Sequence, residues 1–288
     1  MKIDHLKSIF SEFGDNVKFY HDLKKKNWFN IGGKSKVFYK AENLKELINF
    51  LKKLDNKEKL FIIGAGSNIL VNDNTFNGVV IKLGKNFNNI SLLGEDIIIA
   101  GSSVLDKSLS DFALTNNLSG FEFLSGIPGT IGGGIRMNAG CFGKEFKDIL
   151  ISIQVIDKLG NVKTIPSKNI RFEYRKNDLP EDLIFLSASF KRVKKQSEKI
   201  KKEMDRIKLE KDINQPSKIK TSGSTFKNPI SQTERKVWEL IKESVSLDKY
   251  NQIKYLNKSA KQRFGQNLID KNISTVIRDT KLLESIEK

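Results

Sequence analysis

The 288-residue sequence has one cysteine, two histidines and no long apolar run. A single cysteine, Cys141, excludes an internal disulfide and any metal site built from several cysteines. No segment approaches the roughly 18 consecutive apolar residues that a membrane helix needs. The N-terminal MKIDHLKSIFSEF carries charges at helical spacing and has no continuous apolar core, so it is not typical of a secretory signal. His5 and His21 lack partners at metal-ligand spacing. These absences predict a protein of a reducing cytoplasm with no metal site.

The charge is unbalanced, with 51 Lys and Arg against 34 Asp and Glu and a formal net charge of +17. Lysines are scattered through the whole length, among many Asn and Ile. Nucleic-acid binders usually concentrate basic residues on one face, beside side chains that read or stack on bases. Three interpretations stay open at this point: solvated lysines, attraction of a small anionic substrate, and nucleic-acid binding.

Glycine is plentiful, and it is concentrated between Ser119 and Gly143, in SGFEFLSGIPGTIGGGIRMNAGCFG. Apolar residues are interleaved throughout this stretch, whereas a disordered linker is polar and repetitive. Glycine is needed where φ is positive or where a ligand approaches the main chain too closely for a Cβ. Successive N–H groups in such turns form concavities that hold phosphate oxygens. The alternative is a set of tight turns between strands.

A second glycine loop, Gly64 to Asn68, follows the apolar run Leu60–Ile63. It resembles the opening of a dinucleotide fingerprint but lacks the third glycine, whose place is taken by Ile69. The residues after it, Ile69–Val71, predict a strand instead of a helix. A phosphate bound here would depend on the loop's own N–H groups, the Ser67 hydroxyl and the Asn68 amide. A short tight turn is again the alternative.

Periodicity predicts alternating helices and strands over the rest of the chain. Residues 1–26 predict an amphipathic helical lead-in, and Asn43 caps a second helix. A third predicted helix, Val104 to Leu118, turns Leu105, Leu109, Phe112 and Ala113 inward. The other predicted elements are strands at 37–39, 60–63, 96–100, 149–157, 161–165 and 183–190, with helices at 191–213 and 233–245.

Four segments together resemble the UDP-N-acetylenolpyruvoylglucosamine reductase family: LFIIGAGSNILV, SGIPGTIGGGIRMNAGCFG, FEYRKND and TSGSTFKNP. Their order and spacing match the family's compact type from about Asn27 to about Leu247. The resemblance implies an α+β fold with two subdomains, 1–84 and 85–200, that bind FAD in the manner of the vanillyl-alcohol-oxidase type. A smaller α+β domain, 201–288, would bind the substrate.

The resemblance also implies an activity and a set of site residues. NADPH would reduce FAD, and the enolpyruvyl UDP-sugar would then accept a hydride at C3. Arg175 would stabilise the charge that develops on the substrate carboxylate, and Ser224 would protonate C2. Tyr174, Lys227 and Asn228 would bind the UDP-sugar, with no membrane or nucleic-acid partner and a monomeric chain. The residues expected to hold FAD are Gly64, Ala65, Gly66, Ser67, Asn68, Gly126, Ile127, Pro128, Gly129, Thr130, Gly132 and Gly133.

The resemblance breaks after residue 246, where the family continues with a Ser-x-x-His-x-Asn-Phe element and places a glutamate near its end. This chain has no histidine after position 21. Glu284 and Glu287 are unaligned candidates for that glutamate. The tail is interpreted either as a divergent part of the third domain or as a segment unrelated to the family. The abruptness of the break favours the second interpretation, which predicts flavin binding with impaired turnover.

Two other functions stay open from the residues. A flavin oxidase of the same fold with another substrate would attach FAD covalently, and Cys141 is the candidate residue. A basic nucleotide- or RNA-binding protein would use the glycine loops for phosphates. It would be colourless and would bind nucleic acid with a steep dependence on salt.

Overall fold

The structure is a computed structural model that describes residues 3–95, 97–214, 233–235 and 239–240. The chain divides into two compact units, Met1–Ser217 and Lys218–Lys288. All described residues except 233–235 and 239–240 lie in the first unit. Within the described residues, no helix is both long enough and apolar enough to cross a membrane.

The N-terminal part of the first unit forms a four-stranded sheet with two helices. Its strands run in the order β1-β2-β4-β3; β1 is antiparallel to β2, whereas β2 and β3 are both parallel to β4. Parallel neighbours need crossover connections, and α2 lies in the connection between β2 and β3. The elements are α1 (Ile3–Ile9), β1 (Val17–Asp22), β2 (Lys34–Ala41), α2 (Leu44–Lys53), β3 (Leu60–Ile62) and β4 (Phe76–Leu83).

The following part forms a five-stranded antiparallel sheet in the order β11-β10-β14-β6-β5, with three helices and three two-stranded pairs. The pairs are β7 with β15, β8 with β9, and β12 with β13. The elements are β5 (Ile90–Leu93), β6 (Ile97–Gly101), α3 (Asp106–Thr115), β7 (Leu118–Ser119), α4 (Ile131–Arg136), β8 (Gly140–Cys141), β9 (Lys144–Glu145), β10 (Leu150–Ile156), β11 (Val162–Pro166), β12 (Phe172–Glu173), β13 (Lys176–Asn177), β14 (Ile184–Lys191), β15 (Val193–Lys194) and α5 (Ser197–Asn214).

The two sheets share apolar contacts. One core cluster is centred in the N-terminal part, where Tyr39 of β2 stacks on Phe50 of α2 with ring centroids 3.9 Å apart. The same core cluster contains Ile156, Ile184 and Leu186 from the five-stranded sheet. A second cluster packs α3, α4 and the 121–124 segment onto the other residues of that sheet. Because β10 and β14 supply side chains to both clusters, burial of apolar area ties the two sheets together.

Most elements lie within a few residues of their predicted positions, but three expectations are wrong. Residues 1–26 are not one helical lead-in, because Val17–Asp22 is a strand whose pairing partner, β2, lies later in the chain. Ile69–Val71 forms no strand, and Leu70 is 59% exposed. Leu105 is 50% exposed because α3 begins after it. The predicted boundary at 84/85 lies between β4 and β5, and the division into three domains stays a prediction.

The first prediction concerns the cap of α2. The Asn43 side chain accepts a hydrogen bond from the Glu46 N–H at 2.9 Å and donates one to the Glu46 carboxylate at 2.7 Å. Asn43→Ala leaves the N–H without its acceptor and should lower the free energy of unfolding by about 1 kcal/mol. Denaturant titration measures this loss. Asn86→Ala is the control, because the exposed Asn86 side chain makes no hydrogen bond within the described residues. An equal loss of stability in both variants would contradict the prediction.

Candidate functional site

The first glycine loop, residues 64–68, leaves the end of β3 and turns sharply against the 24–28 segment. Gly66 has a φ of +71°, and a Cβ at this position would lie 2.1 Å from the carbonyl oxygen of Lys26. The Gly66 carbonyl accepts a hydrogen bond from the Trp28 N–H at 2.9 Å. The buried Asn27 side chain donates to the carbonyls of Leu23 and Ile31 and so shapes the facing turn. This turn therefore requires glycine at position 66.

The second glycine loop, residues 126–133, runs from a 3₁₀ turn at Glu122–Gly126 into α4. Its backbone bonds to the segment that follows β6. The N–H groups of Ile131 and Gly132 donate to the carbonyls of Val104 and Ser102, both at 2.9 Å. These bonds attach the loop to the five-stranded sheet and set the start of α4.

The two loops meet, although about 60 residues separate them in the sequence. A Cβ on Gly64 would lie 2.4 Å from Thr130 Oγ1, and a Cβ on Gly129 would lie 3.9 Å from Ser67 Oγ. Ser67 and Thr130 are both buried at this contact. The structure therefore brings the two sets of predicted cofactor residues together, as one surface made of backbone and hydroxyl groups.

This surface carries several backbone donors that have no acceptor among the described residues. Successive free N–H groups of this kind form an anion-binding concavity. The second loop leads into the short helix α4, and the first N–H groups of a helix have no carbonyl acceptor within that helix. The surface can accept the two phosphates of a dinucleotide. The donors are the N–H groups of Ala65, Gly66, Ser67, Asn68, Gly129, Thr130 and Gly133.

Arg175 lies at the tip of the β12–β13 hairpin. Its φ of +57° is in the left-handed region, which non-glycine residues occupy at a cost in free energy. The guanidinium donates to the carbonyls of Asn138 and Gly140 at 3.3 and 2.8 Å, and it lies 4.8 Å from the centroid of the Tyr174 ring. A cationic side chain held in a strained turn is more typical of a functional residue than of a residue in an unconstrained exposed loop.

Asn138 connects this hairpin to the end of the second glycine stretch. It is fully buried, and its Nδ2 donates to Glu145 Oε2 at 3.0 Å and to the Glu173 carbonyl at 3.1 Å. Glu145 Oε1 in turn lies 3.7 Å from Arg175 Nη1. Asn177 of the hairpin donates to the carbonyls of Ile135 and Arg136 at 3.0 and 2.9 Å. Arg175 is therefore attached to the C-terminal end of α4, the helix that begins at the second glycine loop.

Arg136 attaches the segment that follows the hairpin. Its guanidinium donates to the carbonyls of Leu179, Pro180 and Leu183 at 2.8 to 3.1 Å and covers the Phe185 ring at 4.3 Å. All of these acceptors are main-chain carbonyls within one turn. Arg136 is a structural residue of this site.

Cys141 is half-buried and donates to the Phe123 carbonyl at 3.1 Å. Burial raises the pKa of its thiol to about 11. A thiol in this environment is a poor nucleophile at neutral pH. This disfavours covalent attachment of a flavin through the sulfur.

Several predicted site residues lie outside the described residues. Ser224, Lys227 and Asn228 are among them, as are the two unaligned acidic candidates, Glu284 and Glu287. Their proposed roles stay predictions. The structure therefore describes both glycine loops and the arginine hairpin, but not the serine segment.

Comparison with known proteins matches residues 35–166 to a family described as an FAD-binding domain. The chain is 61% identical over 248 residues to a UDP-N-acetylenolpyruvoylglucosamine reductase of Pelagibacter ubique, a match that covers 86% of this chain and 82% of that protein. The chain belongs to the UDP-N-acetylenolpyruvoylglucosamine reductase family. The protein of the same name from Rickettsia typhi is 47% identical over 77% of this chain and 74% of its own length.

A crystal structure of the family's reductase from Thermus caldophilus superposes with a TM-score of 0.68 at 29% identity, covering 79% of each chain. The α+β FAD-binding fold expected from the resemblance is thereby confirmed. The FAD-binding family match includes both glycine loops and β8–β9, and it ends before the arginine hairpin.

The described residues fit an FAD pyrophosphate at the meeting point of the two loops. The fit rests on two observations: the N–H groups that have no acceptor in the described part of the chain, and the positions at which a Cβ would intrude. Neither loop contains a charged side chain, so the donors are dipoles held in place by the fold. Asp106, Ser102, Asn138 and Glu145 also lie in or beside this region, and sequence reasoning missed all four. No local pattern marks them, because the packing of other segments buries Asp106 and Ser102, and the hairpin brings Glu173 and Arg175 to Asn138 and Glu145.

The second prediction compares two glycines that both have a positive φ. Gly66 and Gly94, at +71° and +57°, would both be strained on replacement by alanine, but a Cβ on Gly94 meets no atom of the described residues within 4 Å. Gly66→Ala forces the loop away from Lys26, so it should lower the free energy of unfolding by about 2 kcal/mol more than Gly94→Ala does. It should also weaken FAD binding.

Chemical denaturation of the flavin-free chain, followed by a fluorescence titration with FAD, measures both effects. Gly94→Ala is the matched control and should retain the affinity for FAD. Equal stability and affinity in the two variants would show that the close approach to Lys26 does not determine the shape of the loop.

Proposed function

We propose that this chain is an FAD-dependent UDP-N-acetylmuramate dehydrogenase, which reduces the enolpyruvyl group of UDP-N-acetylglucosamine enolpyruvate with a nicotinamide reductant. The observation that supports this proposal most strongly is the high identity to the Pelagibacter reductase over most of both chains. The arrangement of Arg175 at one end of α4, with the glycine loops at the other, agrees with it. α4 has six residues and is therefore about 9 Å long.

In the proposed site, the N–H groups of residues 65–68 and of Gly129, Thr130 and Gly133 hold the FAD pyrophosphate. FAD bound there would supply hydride transfer from the reductant, which we propose to be NADPH, to C3 of the enolpyruvyl group. The chain's own residues then bind and orient the substrate. Gly126, Ile127, Pro128 and Gly132 shape the loop around the cofactor.

Arg175 has the chemistry to stabilise the substrate carboxylate. Its guanidinium is permanently protonated and can bind a carboxylate through two N–H groups. As the hydride arrives at C3, negative charge passes through C2 onto the carboxylate, and a cation already held in place lowers the free energy of that state. Asn138 and Gly140 hold the guanidinium through their carbonyls. Glu145 Oε1 lies 3.7 Å from Nη1 and offsets part of the positive charge, so a substrate carboxylate would share the guanidinium with Glu145.

Ser224 completes the addition in this proposal by giving a proton to C2, so that one hydride and one proton saturate the C=C bond. A serine hydroxyl is a weak acid in water and needs a dry environment and a neighbour that stabilises the alkoxide. Lys227 and Asn228 would contact the diphosphate or the uracil, and Tyr174 would pack beside the substrate. Glu284 and Glu287 stay unaligned candidates for the third catalytic group, and neither is assigned that role.

The third prediction tests this function in two half-reactions under anaerobic conditions. NADPH should bleach the flavin absorbance, and UDP-N-acetylglucosamine enolpyruvate should then restore it with formation of UDP-N-acetylmuramate. Bleaching without recovery would contradict complete activity, and it is the outcome expected if the segment after residue 246 is unrelated to the family. A preparation that binds no flavin would contradict the proposal at its first step.

The fourth prediction assigns Arg175 to the second half-reaction. Arg175→Gln removes the charge that stabilises the substrate carboxylate, so the rate of flavin reoxidation should fall about 10²- to 10³-fold. The rate of reduction by NADPH should change little. Arg171→Gln is the matched control beside the same hairpin, because Arg171 is exposed and, within the described residues, its side chain pairs with Glu173 alone, at 3.4 Å. Stopped-flow absorbance measures both rates, and an equal loss in the two half-reactions would assign Arg175 a structural role instead.

A further inference from the structure

Asp106, the first residue of α3, is a buried carboxyl to which the proposed function gives no role. It has 0% relative exposure, and neither of its carboxylate oxygens has a hydrogen-bond partner in the described structure. An isolated carboxylate in this environment would be strongly unfavourable, and such a group neutralises itself by keeping its proton. The residue therefore calls for an explanation beyond packing.

The carboxyl lies directly behind the second glycine loop. The Asp106 N–H donates to the Gly129 carbonyl at 3.2 Å. A Cβ on Gly129 would lie 2.6 Å from Asp106 Oδ2 and 3.9 Å from Ser67 Oγ of the first loop. Ser102 Oγ, beneath Gly132 of the same loop, is also buried and without a partner among the described residues. Asp106 thus supports the loop at the point where the two glycine loops meet.

No described charged group compensates Asp106. Burial is the only cause that raises its pKa, to about 8. Neither glycine loop has a titratable side chain, and on α3 itself Lys107 and Asp111 are exposed. On the packed elements, Glu122 binds Ser119 and Gly120, and Lys211 of α5 donates to the Gly126 carbonyl. Arg136 of α4 is committed to three carbonyls beyond the hairpin.

We propose that Asp106 is a positioning residue of the FAD site, whose carboxyl keeps its proton beneath the second glycine loop while that loop holds the pyrophosphate. This inference rests on the cofactor site proposed above. A neutral carboxyl leaves the loop's N–H dipoles free to bind an anion. A carboxylate at the same place would put a negative charge, poorly screened by the protein interior, next to the pyrophosphate.

Proton and cofactor are then thermodynamically linked. Below a pH of about 8 the carboxyl is already neutral, and FAD binds without taking up a proton. Above that pH the flavin-free protein holds the carboxylate, and the bound pyrophosphate raises the pKa of Asp106 further, so that binding takes up a proton. The affinity for FAD should accordingly fall by up to tenfold for each pH unit above about 8. Asp106→Asn, neutral at every pH, should show no such fall.

The fifth prediction tests this linkage by calorimetric titration of FAD into the full chain freed of flavin. Measurements at about pH 9 in two buffers of different ionisation enthalpy count the protons taken up for each FAD bound. The wild-type chain should take up close to one proton at about pH 9 and close to none at about pH 6.5. Asp106→Asn should take up none at either pH and should hold FAD with an affinity that varies less than about twofold.

Absence of proton uptake by the wild-type chain would overturn the proposal, as would equal uptake by Asp106→Asn. If that variant fails to fold, the wild-type proton count decides alone. Infrared spectroscopy of the flavin-bound wild-type chain at about pH 9 adds a second measurement, because a protonated carboxyl has a C=O band that shifts in D₂O. The calorimetric titration contains no reductant and no UDP-sugar, so it tests Asp106 independently of the reaction. If the chain takes up the proton on binding FAD but fails to reduce the sugar in the half-reaction assay, only the proposed function is refuted. No FAD binding at any pH would refute both.

Discussion

The candidate site depends on a close contact between two stretches of main chain. The loops at 64–68 and 126–133 approach each other and the 24–28 turn at distances that leave no space for a Cβ at several positions. That contact places backbone N–H groups from two parts of the first unit on one surface. Since the donors are main-chain dipoles anchored by two sheets with a shared core, they need little reorganisation when an anion binds. Substitution on either loop therefore acts on the shape of the surface more than on its chemistry.

The rest of the described site is attached to that surface through α4. The helix begins in the second glycine loop, and its last carbonyls accept hydrogen bonds from Asn177. Asn138, just beyond the helix, supplies a carbonyl to Arg175 and an amide to Glu145. A short helix thus sets the separation between the anion-binding loops and the one arginine that the resemblance assigns to catalysis. The positive φ of Arg175 shows that the local backbone does not favour this arrangement and that the surrounding contacts maintain it.

Two buried polar residues near opposite ends of this helix differ in their hydrogen bonding. Asn138 uses both its amide donors and its carbonyl oxygen within the described residues, so its burial stabilises one arrangement of the hairpin. Asp106 has no described partner for its oxygens, so its burial favours the neutral form. The first residue specifies structure, and the second makes the loop beside it sensitive to pH.

Local sequence determined much of this protein. Glycine spacing predicted both loops, apolar periodicity predicted the main strands and helices, and four motifs predicted the family that the comparisons then confirmed. These signals are local because φ preference, capping and side-chain alternation depend on near neighbours. Tertiary structure decided what local signals could not. Val17–Asp22 became a strand through pairing with β2, Leu105 was left exposed by the start of α3, and Thr130 came to lie against Gly64. Asn138, Glu145 and Asp106 acquired their roles in the same way, since contacts and burial contributed by distant segments leave no periodic trace in the sequence around them.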